Sequence, residues 1–167
     1  MIRHLYLLRH GEADHDGPPT WVHDSERPLT REGKERMALQ AGAMKRMEIA
    51  IEAIITSPYR RARQTAEAVA AAYHLEDRIT ESDLLEPGAT FADLVRTLRT
   101  VRAERILVVG HAPDLGAWAG ELIGGEAIPL GKGWLAWIRL ESEMENGGGR
   151  LKALLPADLM RTIGRLS

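Results

Sequence analysis

Two short apolar runs, each leading to a histidine, constrain the fold of this chain more than any other feature. Residues 5–8 read Leu-Tyr-Leu-Leu and reach His10 two positions later, and residues 106–109 read Ile-Leu-Val-Val and reach His111 two positions later. Neither run alternates between apolar and polar residues, which is typical of strands that are covered on both faces in a parallel sheet. The carboxyl ends of such strands form the ligand crevice of an open α/β sheet, so we expect both imidazoles to face one site.

The rest of the chain alternates between helix and strand patterns. The predicted elements are, in chain order, a helix capped at Thr30, a strand over 53–56, a helix opened by Ser57-Pro58 that runs to about Tyr73, a weaker strand over 79–85, a helix from about Thr90, a helix from Pro113-Asp114 to Gly124, and a hairpin of residues 134–140 and 151–155. This order predicts an α/β fold with three α/β/α layers, a mostly parallel central sheet and an antiparallel addition near the C-terminus. A length of 167 residues predicts a single domain over 1–167.

Composition excludes several classes of function. The chain has no cysteine, which excludes a thiol nucleophile, thiolate zinc ligands and a disulfide framework. Its 22 basic and 24 acidic residues give a net charge of −2, so we expect no nucleic-acid partner. No stretch approaches 18 apolar residues, and the amino-terminal apolar run is too short for a signal peptide. We therefore expect a cytoplasmic protein with no membrane span.

Arginines accompany both the first histidine and the start of the second predicted helix. Arg9 adjoins His10, and Arg60, Arg61 and Arg63 fall in the first turns after Ser57-Pro58. A helix N-terminus with added guanidinium groups is suited to bind an oxyanion, above all phosphate. Cations there oppose the helix dipole at a cost of a few tenths of a kcal/mol, which a bound anion offsets. Spacing alone does not show which of the three helix arginines would bind the phosphate.

An imidazole flanked by guanidinium groups is suited to phosphoryl transfer. A neutral imidazole nitrogen is a competent nucleophile toward phosphorus, and the cations stabilise charge on the equatorial oxygens, so we expect no metal or other cofactor. The leaving group still requires a proton donor. Glu86, which precedes Pro87 before the helix near Thr90, is the candidate by position, and Glu12 and Asp14 are its rivals.

Four sequence blocks resemble the histidine phosphatase superfamily, which has the phosphoglycerate mutase-like fold. The blocks occur in the family's order and are Leu8-Arg9-His10-Gly11-Glu12, Leu29-Thr30-Arg31-Glu32-Gly33, Ser57-Pro58-Tyr59-Arg60-Arg61-Ala62-Arg63-Gln64-Thr65-Ala66 and Val109-Gly110-His111. The resemblance extends from residue 2 to about residue 140. Within the superfamily, the compact length and the Arg-Pro-Leu-Thr element at 27–30 are similar to SixA-type phosphohistidine phosphatases.

The resemblance implies a role for each site residue. It makes His10 the nucleophile that becomes phosphorylated, with Arg9 and Arg61 holding the phosphate and His111 donating to it from the opposite side. The Ser-Pro-x-x-Arg-Ala frame selects Arg61. Larger members use a glutamate before the third helix, and Glu86 lies in roughly that region, which makes it the provisional general acid. The implied activity is metal-independent hydrolysis of phosphohistidine on a protein.

Three other functions remain open at this stage. One is hydrolysis of small phosphate monoesters by the same site. A second is a non-catalytic module that only recognises phosphate. A third is a metallohydrolase using His10, Asp14 and His15, although the adjacent arginines would repel a divalent cation. The loop over 14–28 is the predicted lid, in which Trp21 either packs against the body or contacts substrate.

Overall fold

A computed structural model describes residues 1–141 and 144–166 of the chain. Within those residues six strands form one sheet in the order β3-β2-β4-β1-β5-β6. The strands are β1 (His4–Arg9), β2 (Ala53–Thr56), β3 (Ile79–Glu81), β4 (Arg105–Gly110), β5 (Leu135–Leu140) and β6 (Gly149–Leu155). β1 to β4 are mutually parallel, while β5 pairs antiparallel with both β1 and β6. The mostly parallel sheet and its antiparallel C-terminal addition are confirmed.

Helices cover both faces of the sheet. They are α1 (Arg31–Arg46), α2 (Arg60–Tyr73), α3 (Phe91–Leu98), α4 (Asp114–Ile123) and α5 (Ala157–Gly164). Tyr6 and Leu8 of β1 belong to the core under α1, α2 and α5, whereas Leu5 and Leu7 belong to the core under α3 and α4. Both faces of β1 are therefore buried, which explains its continuous apolar run and confirms the three-layer prediction.

The register of β1 and β4 brings the two histidines together. Leu8 pairs with Val109 and Arg9 pairs with Gly110 at the carboxyl ends of these adjacent strands. The backbone N–H of His10 then donates to the Gly110 carbonyl at 3.1 Å. Both imidazoles consequently leave the sheet from the same edge.

Three local predictions differ from the structure. α2 begins at Arg60 with Tyr59 as its N-cap, two residues later than Ser57-Pro58 predicts, because Ser57 still bonds to the sheet through the Val109 carbonyl at 3.0 Å. β3 ends at Glu81, and the rest of the predicted strand forms a 3₁₀ turn over Asp83–Leu85. α5, which is absent from the predicted elements, packs against α1 through Met160.

No helix within the described residues is long and apolar enough to cross a membrane.

The loop after His10 is fixed to α1 by a close contact at Gly33. The Thr30 side chain caps α1 by accepting from the Gly33 N–H at 2.8 Å, and the Thr30 N–H donates to the Glu12 carbonyl at 3.0 Å. A Cβ at position 33 would lie 2.2 Å from that same carbonyl oxygen. Only glycine permits this approach.

We predict that Gly33→Ala lowers the free energy of unfolding by about 1–3 kcal/mol, because the new methyl group must displace the backbone of Glu12. Gly42→Ala in the same helix is the matched control. A Cβ there meets nothing within 4 Å, so the change should stabilise the protein by up to about 1 kcal/mol. Urea unfolding of the three proteins measures the difference. Equal effects at the two positions would contradict the proposed contact.

Candidate active site

The candidate active site is a buried pair of imidazoles at the carboxyl edge of the sheet. His10 and His111 are only 5% and 3% exposed, and their ring centroids lie 5.3 Å apart. The expected meeting of both rings in one site is therefore observed. A Cβ at Gly11, directly after His10, would lie 2.8 Å from Cγ of Met37, so the core fills the space beside this glycine.

Hydrogen bonds determine which nitrogen of His10 is available for chemistry. Nδ1 lies 2.7 Å from the Gly11 carbonyl, and a carbonyl oxygen only accepts, so Nδ1 carries the ring proton. Nε2 is then the basic nitrogen, and it accepts a hydrogen bond from Nε of Arg61 at 3.3 Å. The lone pair of Nε2 consequently points to the guanidinium that would bind a phosphate.

Ser57 and Tyr59 hold the His111 ring in place. Its Nε2 lies 2.8 Å from the Ser57 hydroxyl, and its ring packs edge-on against Tyr59 at 5.2 Å between centroids. The buried Nδ1 has no hydrogen-bond partner among the described residues. The sequence analysis treated Ser57 only as a helix cap, and the structure instead makes it a contact of the second site histidine.

Arg61 is the helix arginine that reaches the histidines. Its guanidinium is 4% exposed and stacks over the Tyr59 ring at 5.0 Å. Its Nη1 donates to the backbone carbonyl of Asp24 at 2.7 Å, and its Nη2 donates to Oδ2 of the same residue at 2.9 Å. Sequence analysis missed Asp24. Asp24 lies three residues before Arg27, and Nε of Arg27 is 3.2 Å from Oδ1 of Asp24. This local charge pair is the one sequence signal that could have indicated Asp24 as a site residue.

Arg9 is the last residue of β1 and directly precedes His10. Its Nη1 donates to the Leu130 carbonyl at 2.8 Å, which fixes one edge of the guanidinium. Its Nε is buried and has no hydrogen-bond partner in the part of the chain that the structure describes. Arg9 and His111 both lie near enough to His10 for their charges to lower its pKa. Their buried nitrogens, Nε and Nδ1, have unused hydrogen-bonding capacity, which costs free energy unless a ligand satisfies it.

Thr65 connects the loop that carries His10 to α2. Its hydroxyl accepts from the Gly11 N–H at 3.0 Å and donates to the Arg61 carbonyl at 2.8 Å. The residue is fully buried. This bridge sets the distance between the loop that carries His10 and the helix turn that carries Arg61.

Burial and positive charge keep both site histidines neutral. Burial, together with the charges of Arg61, His111 and Arg9, lowers the pKa of His10 to about 3, against the opposing effect of the Gly11 carbonyl. Burial, followed by the Arg61 charge, lowers the pKa of His111 to about 4. A neutral imidazole retains the lone pair that a nucleophile needs.

The three candidate acids occupy different places. Glu86 is exposed, directly after the turn at the carboxyl end of β3, and its side chain makes no hydrogen bond or ion pair within the described residues. Glu12 pairs with Arg36 at 2.6 Å, and Asp14 accepts from the Asp16 N–H at 2.9 Å. The Glu86 loop is joined to the start of α4, three residues after His111, because the Gly88 N–H donates to Asp114 at 2.8 Å.

The remaining sequence candidates lie outside the histidine pair. Arg63 pairs with Glu67 at 3.2 Å and with Glu81 at 3.4 Å, and Arg60 is exposed. His15 lies between the side chains of Arg27 and Lys132, each 3.4 Å from one of its ring nitrogens. No group of three or more His, Cys, Asp or Glu side chains within residues 1–141 and 144–166 is placed to hold a metal ion, so the metallohydrolase alternative lacks a ligand set there.

Comparison with known proteins gives one consistent family. A family model described as histidine phosphatase superfamily (branch 1) matches residues 5–105. Phosphohistidine phosphatase SixA of Escherichia coli (strain K12) is 31% identical over 129 residues, which cover 75% of this chain and 78% of SixA. An uncharacterized protein of Picosynechococcus is 38% identical over 130 residues, which cover 77% of this chain and 74% of that protein.

Structural similarity agrees with the sequence matches. A solved structure of the protein histidine phosphatase SixA complexed with tungstate superposes with a TM-score of 0.81 at 28% identity, covering 93% of this chain and 97% of that one. The fold is the phosphoglycerate mutase-like fold expected from the sequence blocks. On the sequence match over residues 5–105 and the relatives that share most of its length, this chain belongs to the histidine phosphatase superfamily.

Proposed function

We propose that the protein is a metal-independent phosphatase that removes the phosphoryl group from phosphohistidine on a protein, through a covalent intermediate on His10. The observation that carries the proposal is the basic Nε2 of His10, which faces Arg61 beside two buried nitrogens without partners, on Arg9 and His111. A phosphoryl group bonded to Nε2 would place its oxygens among these groups. The solved SixA structure contains tungstate, a tetrahedral oxyanion similar to phosphate, which supports an oxyanion site in this fold.

The first step transfers the phosphoryl group to His10. The lone pair of Nε2 attacks phosphorus, the bond from phosphorus to the substrate nitrogen breaks, and that nitrogen takes up a proton from Glu86 or from solvent water as it leaves. Arg61 and Arg9 stabilise the charge on the equatorial oxygens of the transition state. The Gly11 carbonyl, which accepts from Nδ1–H at 2.7 Å, stabilises the positive charge that develops on the ring.

The second step returns the enzyme to its starting state. A water molecule attacks the phosphoryl group on Nε2, the P–N bond breaks, and inorganic phosphate leaves with the oxygen of that water. We assign His111 Nδ1–H as the donor to a phosphate oxygen in both steps, because the Ser57 hydroxyl already accepts from the Tyr59 N–H at 3.3 Å and can give its own proton to His111 Nε2. Ser57 thereby selects the tautomer.

The choice of phosphohistidine over an alkyl ester depends on the proton donor. Imidazole leaves more readily than an alkoxide, so a phosphohistidine substrate needs less help from a general acid. The side chain of Glu86, the proposed acid, is exposed and makes no hydrogen bond within the described residues, whereas Asp24 is bonded to Arg61. We propose that Asp24 positions the guanidinium so that its Nε–H points at His10. The 31% identity to SixA supports the same substrate class.

We predict that the protein hydrolyses a phosphohistidine peptide at least about 10²-fold more efficiently, by kcat/KM, than a phosphoserine peptide of the same sequence. Glu86→Gln should lower kcat/KM for the phosphoserine peptide by about 10²-fold or more, and for the phosphohistidine peptide less than about threefold, because only the alkoxide requires the acid. Asp24→Asn should lower both by about tenfold, since a misplaced guanidinium affects either reaction.

Glu76→Gln, at another exposed turn, is the matched control and should change neither rate. A wild-type preference for the phosphoserine peptide would overturn the assigned substrate class. Equal losses for the two substrates in Glu86→Gln would remove Glu86 as the proton donor. A larger loss of kcat/KM for the phosphoserine peptide than for the phosphohistidine peptide in Asp24→Asn would assign the role of proton donor to Asp24.

We predict that stability falls as the pH drops below about 6.5. The folded pKa values of His10 and His111 are about 3 and about 4, against 6.5 in the unfolded chain, so between those limits the unfolded state binds protons that the folded state does not. His10→Asn removes one such group. Its plot of unfolding free energy against pH should be shallower than the wild-type plot by up to about 1.4 kcal/mol per pH unit between pH 4.5 and 6. Identical slopes would show that His10 is not held neutral.

A further inference from the structure

We propose that a groove beside the catalytic pocket binds an acidic segment of the phosphorylated protein, adjacent in sequence to the phosphohistidine. The proposal rests on the function proposed above and adds how the substrate protein is recognised. The groove has a volume of about 480 Å³ and is called here the Trp21–Arg60 groove. The lining residues that matter are Pro19, Trp21, Val22, Pro58, Arg60 and Arg63.

The Trp21–Arg60 groove is continuous in sequence with the catalytic residues. Pro58 follows Ser57, which contacts His111, and Arg60 precedes Arg61, which contacts His10. Consecutive Cα atoms are 3.8 Å apart, so a peptide whose phosphohistidine reaches His10 extends its next few residues across this surface. A small phosphate ester ends inside the catalytic pocket and does not extend as far.

The charge of the groove favours an acidic occupant. The Arg60 side chain makes no hydrogen bond or ion pair within residues 1–141 and 144–166, while the side chain of Arg63, three positions further along the same helix face, is held by Glu67 and Glu81. The one lining carboxylate, Glu26, accepts from the N–H groups of Val22 and His23 at 3.1 Å each. These bonds, both accepted by Oε2, lower the pKa of Glu26, and the nearby charge of Arg60 lowers it to a smaller extent. Arg60 is therefore the cation available to a ligand.

The groove offers apolar contact and an indole N–H donor. Val22 is 67% exposed, and the two lining prolines extend the apolar surface beside it. Trp21 Nε1 is buried and has no hydrogen-bond partner among the described residues. A backbone carbonyl of a docked peptide would satisfy it, and a buried indole N–H without a partner is otherwise unfavourable. These features fit an extended peptide that carries both apolar and acidic side chains.

The test compares two phosphohistidine peptides that differ only in the residues flanking the phosphohistidine, which are aspartate in one and serine in the other. The wild-type protein should prefer the aspartate peptide by about fivefold in kcat/KM, through KM, which is the upper range for an exposed ion pair. Arg60→Gln should reduce this ratio to about 1. Because the ratio compares two substrates on one variant, any general loss of activity cancels.

Two further variants complete the experiment. Arg99→Gln alters another exposed arginine, one that lies outside the groove, and should keep the wild-type ratio. Trp21→Ala should raise KM for both peptides without changing their ratio, because the ring contacts the backbone and not the acidic side chains. A preference that survives Arg60→Gln, or an equally reduced ratio in Arg99→Gln, would overturn the groove assignment.

The same assay separates failure of the groove from failure of the function. A wild-type protein that hydrolyses both peptides at equal kcat/KM overturns the groove assignment alone. A wild-type protein that hydrolyses neither phosphohistidine peptide, but does hydrolyse p-nitrophenyl phosphate, overturns the phosphohistidine function and this proposal with it.

Discussion

The parallel pairing of β1 with β4 is the constraint on which the whole site depends. It places Arg9 opposite Gly110, and the chain leaves both strands at the same edge of the sheet, where His10 bonds to the Gly110 carbonyl at 3.1 Å. Two imidazoles 5.3 Å apart are a consequence of this register. A shift of one residue in either strand would send one ring to the opposite face of the sheet and separate the pair.

The site also depends on two guanidinium groups that hydrogen bonds hold in place. Arg9 donates to the Leu130 carbonyl, and Arg61 donates to Asp24. Burial of Arg61 beside Arg9 would be unfavourable without compensation, and Asp24 supplies it through two hydrogen bonds to the guanidinium. Burial, assisted by these charges, lowers the pKa of His10 and keeps its imidazole neutral. A net charge of −2 over the whole chain therefore conceals a strongly positive pocket.

Sequence predicted the parts of the site that are carried by local patterns. His10 and His111 follow apolar runs, and Arg61 lies in a recognisable Ser-Pro-x-x-Arg-Ala frame. The parts that sequence missed depend on contacts between distant residues. Asp24 lies 37 positions from Arg61, in a loop without periodicity. The bond between Ser57 and His111 spans 54 positions, so the local pattern around Ser57 indicates only a helix cap. The late start of α2 has the same origin, since Ser57 completes the sheet before the helix begins.

The central claim is that Nε2 of His10 carries the phosphoryl group during turnover. The most direct test is rapid quenching in alkali of the protein mixed with a ³²P-labelled phosphohistidine peptide, followed by identification of the phosphorylated residue and of its isomer. The hydrogen bond from Nδ1–H to the Gly11 carbonyl predicts a phosphoryl group on Nε2 of His10. Label on Nδ1, label on another residue, or turnover with no labelled protein at any time point would contradict it.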